Sequence, residues 1–257
     1  SMKKRQWLQN ALLHSTLLLW LAWSAISAHA QDFPPKKNIT MVVGFAAGGA
    51  ADTAARIIAK KLGENIGASV VVDNKPGAGG NIAAELVAKS PTDGYTIFYN
   101  TSAIVIGPTL YSKVNYDTLK DFAPVVLTAS VPLVLVVNPQ LPVRSLSEFA
   151  SYARANPGKL NYSSSGAGTI THLASAMLSA QLQLQTQHVP YKGSAPGLVD
   201  LASGQTQFMT DTMNTVLPYV RDGRLRALGV ASARRSPLLS DVPTLGESLR
   251  SEEHTSE

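Results

Sequence analysis

The sequence predicts an α/β fold of two lobes joined by two chain crossings, and three observations carry that expectation. From Asn38 onward, short strand-like runs alternate with segments of helical apolar period. Three of these runs end in glycine-rich turns that lead directly into a helix start. A long β-prone stretch, Val125 to Val137, is interrupted only at Ser130 and Pro132 and can pass from one lobe to the other. With 257 residues, 45% hydrophobic and 15% charged, the chain is long enough for two packed lobes.

In chain order, Ile39 to Val43 reads as a strand that breaks at Gly44-Phe45-Ala46-Ala47-Gly48-Gly49. Asp52 is expected at the N-cap of a helix with Ala54, Ile57, Ile58 and Leu62 as its apolar face and Gly63 as its stop. Val70 to Val72 is a second strand, Pro76 to Asn81 a glycine-rich turn, Ile82 to Lys89 a helix and Tyr95 to Tyr99 a third strand. After the long apolar run, Ser145 to Ala155 reads as a helix and Leu160 to Ser163 as a strand. The turn Gly166-Ala167-Gly168 then leads to a helix from Thr171 to Gln181. His188 to Tyr191 and Phe208 to Thr210 read as strands flanking a helix from Pro196 to Ala202. Leu225 to Ala231 is a further strand, expected to return the chain to the first lobe. These elements place the first lobe at 31–128, the second at 129–226 and the return at 227–249.

The first 30 residues read as an export leader. Lys3, Lys4 and Arg5 precede an apolar stretch from Trp7 to Trp23, and Ala28-His29-Ala30 fits a cleavage site after Ala30. A retained anchor is the competing reading, since Ala11 to Ile26 is almost long enough to span a bilayer. The formal charge of +5 includes those three leader cations, so residues 31–257 carry 19 basic against 17 acidic groups, or +2. That near-neutral balance, with no basic stripe among aromatics, argues against nucleic acid as a partner. Having no cysteine excludes a disulfide framework, thiolate metal sites and a cysteine nucleophile.

The three turns, Phe45 to Asp52, Pro76 to Asn81 and Ser163 to Thr171, share one design. Glycine lets a ligand approach the backbone, and the helix start behind it offers free N–H groups and partial positive charge to an anion. Tight turns are common in α/β folds, so one alone says little. Three at the carboxyl ends of strands point to a binding cleft. Gly77-Ala78-Gly79-Gly80 lacks the third glycine of a dinucleotide fingerprint, because Ile82 stands there, and Gly166-Ala167-Gly168-Thr169 lacks the P-loop lysine.

A secreted α/β serine hydrolase is the alternative from another class, with Ser163, Ser164 or Ser165, His172 and Asp211 as candidates. No G-x-S-x-G elbow supports it. His172, His188 and His254 are the histidines beyond the leader, and none has metal-ligand spacing, so no metal and no cofactor are expected.

Val43-Gly44-Phe45-Ala46-Ala47-Gly48-Gly49-Ala50-Ala51-Asp52-Thr53-Ala54-Ala55-Arg56 resembles the first-turn signature of the Bug family, the extracytoplasmic receptors of tripartite tricarboxylate transporters. Val71 to Asn81 with Asp93-Gly94-Tyr95-Thr96, Ser163 to Thr169, Pro190-Tyr191-Lys192-Gly193, and Arg235-Ser236-Pro237 through Asp241-Val242-Pro243-Thr244 are similar to later segments of that family. The resemblance implies a two-lobed type II periplasmic-binding-protein-like fold with a hinge of two crossing strands. It also implies a monomeric, non-enzymatic receptor that captures a small carboxylate in the periplasm for the membrane subunits of a transporter. By position, Phe45, Ala47, Gly48, Gly49 and Asp52 would line one side of the site. Ser165, Gly166, Gly168 and Thr169 would line the other, with Asp211 near the pocket. Ala46 stands where proline is common in the family, which implies a less rigid loop. Residues 250–257 form a polar tail unlike the family's continuation, and a chain shortened there is expected to leave apolar surface of the first lobe uncovered.

Overall fold

The structure is a computed structural model and describes residues 37–253, with side chains through residue 250. The expected leader, residues 1–30, lies outside the described residues. The described residues from Asn38 onward form one compact unit holding two sheets.

Strand β1 (Ile39–Val43) is central to the first sheet, parallel to β2 (Val70–Asn74) on one side and β3 (Thr96–Tyr99) on the other, in the order β2-β1-β3. Helix α1 (Ala50–Ile66) connects β1 to β2. A 3-10 turn (Ala78–Gly80) and helix α2 (Asn81–Ala88) connect β2 to β3, and α3 (Ala103–Leu110) comes after β3. Helix α1 differs in phase from the sequence expectation. Its N-cap is Gly49, and Asp52 is the third helical residue. The buried face is Asp52, Ala55 and Ala59, while Ile57 is exposed, because small side chains let the helix lie close to the strands. The helix also runs through Gly63 to a left-handed cap at Gly67.

The second sheet has the order β6-β5-β7-β4-β8, built from β4 (Leu133–Val137), β5 (Leu160–Ser164), β6 (Thr186–Pro190), β7 (Phe208–Thr212) and β8 (Arg226–Ala231). Strands β5, β6 and β7 are mutually parallel, and β4 lies antiparallel to both β7 and β8. Helices α4 (Leu146–Ala155), α5 (Ile170–Gln181), α6 (Ser194–Ser203) and α7 (Met213–Arg221) cover it. On one face Phe149 and Phe208 meet edge-to-face at 5.0 Å, both fully buried.

Two stretches correct the sequence reading. Arg226–Ala231 does not leave for the first sheet: its buried Val230 pairs with Val134, and it forms the edge beside β4. Gly229 lets the next helix dock there, because a Cβ at this position would lie 2.4 Å from Leu245 Cδ2. Its missing side chain admits Leu245 of helix α8 (Leu245–Glu253), which with Leu249 packs on the same core. Residues 227–249 therefore extend the second sheet, and residues 250–253, read as tail, are helical. Of the long run from Val125, only Leu133–Val137 is a strand. Val125, Val126 and Leu127 form no ladder and are 86%, 73% and 84% exposed.

Candidate functional site

Parallel pairing places the ends of β1 and β2, and of β5 and β6, at carboxyl edges where their loops gather. The loop after β1 is fixed from behind by Asp52. Its Oδ2 accepts from the Gly48 amide at 2.9 Å and from Arg56 Nε at 3.0 Å. Its Oδ1 accepts from Asn74 Nδ2 and pairs with Arg56 Nη2, each at 2.9 Å. Asn74 Nδ2 also reaches the Phe45 carbonyl at 3.0 Å. Burial pushes the Asp52 carboxyl up, but hydrogen bonds from Arg56, Gly48 and Asn74, with the Arg56 charge, outweigh it and hold the group below its usual value. With both oxygens engaged, Asp52 braces the loop rather than lining it.

The loop after β5 is also self-bonded. Thr169 caps α5, its Oγ1 accepting from the His172 amide at 3.4 Å and donating to the Gly166 carbonyl at 2.7 Å. The Ser165 amide donates to Thr171 Oγ1 at 2.9 Å, and the Gly166 amide to Ser164 Oγ at 3.1 Å. The Gly168 amide donates to His172 Nδ1 at 3.2 Å.

These loops meet the third glycine turn, Pro76 to Asn81, and one loop that sequence reasoning left out of the site, that at Lys192 and Gly193. The Ala46 amide donates to the Lys192 carbonyl at 2.8 Å. A Cβ on Gly49 would stand 3.7 Å from the Ser194 amide nitrogen, and one on Gly48 would stand 3.6 Å from Ala195 Cβ, so the start of α1 faces the start of α6. Gly193 caps α6 at φ +153, and a Cβ there would come within 3.0 Å of Ala46 N. On the other flank a Cβ on Gly79 would lie 2.3 Å from the Ala167 carbonyl, which also accepts from Tyr111 Oη at 2.8 Å. The expected partners thus meet through intermediaries: Gly48 and Gly49 oppose Ser194 and Ala195, and Gly166 opposes Gly79. Phe45 turns inward, near enough to touch a Cβ on Gly80, and lines a small pocket with Phe98, Asn100 and Thr101. Ala47 is exposed at the loop tip.

Asp211 lies on β7 and is fully buried. Its Oδ1 accepts from Ser194 Oγ at 3.0 Å and the Thr212 amide at 2.6 Å, and its Oδ2 has no partner among the described residues. Burial pushes this carboxyl up to about 6, against the hydrogen bonds that lower it. Asp211 thus supports the start of α6 from below.

The hydrolase arrangement is not assembled. His172 holds the Gly168 amide, and Asp211 holds Ser194. A serine–histidine contact does exist, Ser164 Oγ to His188 Nε2 at 2.6 Å, but Ser164 is fully buried and its oxygen accepts from Gly166. Among the described residues no group of three metal-ligating side chains occurs.

Pro190-Tyr191-Lys192-Gly193 was a visible motif, and its glycine directly ahead of a helix start could have placed it in the site. Tyr111 carries no local signal, since only the fold brings it to Ala167.

Comparison with known proteins agrees with this architecture. The family described as tripartite tricarboxylate transporter family receptor matches residues 54–257. A protein of Pseudomonas sp. strain P51, from the tcbD-tcbE intergenic region, is 45% identical over 229 residues, 88% of this chain and 68% of its own length. Protein BugT of Bordetella pertussis is 36% identical over 232 residues, covering 89% and 71%. Among solved structures, Rpa4515 of R. palustris with adipate superposes with a TM-score of 0.82 at 42% identity, covering 84% of this chain and 73% of that one. MatC of Rhodopseudomonas palustris with bound malate gives 0.78 at 34% identity, covering 84% and 74%. Shared fold, extended identity and family match converge, and the chain belongs to the tripartite tricarboxylate transporter receptor family.

Proposed function

We propose that this receptor captures a small carboxylate in the gap among the loops after β1, β2, β5 and β6. Delivery to the membrane subunits of a tripartite transporter would follow export and cleavage after Ala30, with the receptor acting as a monomer. The observation that carries the reading is the meeting of glycine turns at helix starts from both sheets: Gly48 and Gly49 face Ser194 and Ala195, and Gly79 faces Ala167. Helix starts present unpaired amides and partial positive charge where a carboxylate can be held without a formal cation. Relatives with adipate and with malate share the fold, which supports small dicarboxylic acids as the class to test first.

The Ala46–Lys192 hydrogen bond spans the gap and holds its two sides together. Capture therefore requires an open state, and the acid must bind the closed arrangement better to shift the balance.

Calorimetric titration of the protein lacking residues 1–30 with adipate, malate, citrate, glutamate and benzoate tests this. Saturable binding of at least one acid without chemical change is expected. Titrations that stay flat for all five would overturn the proposal.

A further inference from the structure

The imidazoles of His172 (on α5) and His188 (on β6) stack at 4.0 Å between ring centres, with an interplanar angle of 12°. Tyr162 of β5 lies parallel to both, 6.3 Å from His172 and 5.0 Å from His188. Each histidine is tied to a glycine amide of the loop after β5. His172 Nδ1 accepts directly from Gly168, and His188 Nε2 bonds Ser164 Oγ, which accepts from Gly166. Because Gly168 N–H points at Nδ1, that nitrogen carries no proton and the neutral ring bears its hydrogen on Nε2.

We infer that His172 is a positioning residue that couples proton uptake to anion capture, holding the Gly168 amide while neutral and releasing it when Nδ1 is protonated. The inference rests on the carboxylate reading of this site. Protonation would set two N–H donors, those of Nδ1 and Gly168, against each other. An anion accepting from both relieves that opposition, so a proton and a carboxylate favour each other's binding.

The surroundings set where this happens. Tyr162 from β5 and His188 from β6 are the titratable groups stacked on His172. Among the described residues no carboxylate or cation hydrogen-bonds or ion-pairs with either imidazole. His172 also sits in the first turn of α5, where the helix dipole opposes added positive charge. Burial holds it below its ordinary value of 6.5, and burial followed by the His172 charge brings His188 to about 4. Proton uptake by His172 in the empty protein therefore belongs below pH 6.5.

The test has two arms on the protein lacking residues 1–30. In the first, nitrogen-15 resonances of histidine and glycine are followed from pH 8 to pH 4.5 without ligand. A neutral His172 with its proton on Nε2, and a Gly168 amide shift sharing the His172 midpoint, are expected. The opposite tautomer, or a Gly168 amide that ignores that midpoint, overturns the inference. In the second arm, adipate affinity at pH 5.5 and 7.5 is compared in wild type, H172Q and H172F. Glutamine keeps an acceptor for Gly168 but does not titrate, whereas phenylalanine keeps only the stack. The pH 5.5 to 7.5 affinity ratio is expected to be about fivefold larger in wild type than in H172Q. H172F is expected to bind at least as tightly as H172Q at pH 7.5, because its Gly168 amide is free to donate to the anion. Equal ratios in proteins that all bind adipate would overturn the inference and leave carboxylate capture standing. Absence of adipate binding in every protein would count against the proposed ligand class, while the ligand-free titration still decides the role of His172.

Discussion

The Ala46 amide and the Lys192 carbonyl, 2.8 Å apart, join the carboxyl edge of one sheet to that of the other. Because the donor is a backbone N–H, proline at position 46 removes it with little change of bulk. A46P is expected to relax the ligand-free protein toward an open state. Small-angle scattering checks this: the radius of gyration of A46P should exceed that of wild type without ligand and match it once a bound acid closes both. Identical ligand-free values would count against the role given to this bond.

Gly79 faces Ala167 on the opposite flank. Its φ of +62, and the 2.3 Å that would separate an added methyl from the Ala167 carbonyl, both exclude a side chain. G79A should cost about 1–2 kcal/mol of stability from the left-handed backbone alone. The closed state should suffer further, so acid affinity is expected to fall at least about tenfold, near the 1.4 kcal/mol that separates decades. Titration calorimetry beside thermal unfolding separates the two effects.

Opposite pH dependences belong to the two buried aspartates. The Asp52 carboxyl is depressed, so its contribution is present above the ordinary value of 3.8 and disappears as pH falls through the lower folded value. Asp211 is raised from 3.8 to about 6, so the folded state holds its proton more tightly. Its effect is destabilising, absent below about pH 3.8, growing to pH 6 and constant above, by about 3 kcal/mol at most for a shift of this size. D211N removes that titration. Its unfolding free energy, measured from pH 4 to 7 beside wild type, should lack this downward component; unchanged slopes would show that Asp211 does not titrate as the fold implies.

Phe149 carries more of the second sheet's packing than any surface contact. It is fully buried against Phe208, and F149A is expected to cost about 3–5 kcal/mol in denaturant unfolding. Leu127, 84% exposed, is the internal contrast: L127Q should change stability by less than about 0.5 kcal/mol.

Much of this was legible in the sequence, for identifiable reasons. A β-branched run bounded by glycine marked β1 and the turn after it, and the glycine turn after Leu160–Ser164 marked the end of β5. Ser145 was readable as a helix start, since a hydroxyl ahead of an apolar period caps the first turn, whereas the next helix was placed from Thr171 although Thr169 caps it. Of the expected face of α1, Ile58 and Leu62 do pack on the first sheet's core, but its buried centre is Asp52, Ala55 and Ala59, and apolar periodicity misplaced Ile57, which is exposed. Helix α7 was missed because it follows β7 with no intervening loop. The assignment of β8 failed because strand order is a long-range property: only the ladder to β4, and Leu245 filling the space at Gly229, hold it to the second sheet. Within the site, the glycine loops were legible as anion-binding material, but their partners were not. Ala46 with Lys192, Gly79 with Ala167 and Ser194 with Asp211 arise from the meeting of the two sheets.

Under the proposed function, a small carboxylate is held by the glycine loops of both sheets at once. Glycine-selective nitrogen-15 spectra, recorded while titrating the acid that most raises the unfolding temperature, test it most directly. Saturable shifts of Gly48 and Gly49 together with Gly166 and Gly168, all with one dissociation constant, are the predicted result. Shifts confined to one loop, or to glycines remote from the gap such as Gly158 and Gly223, would contradict it.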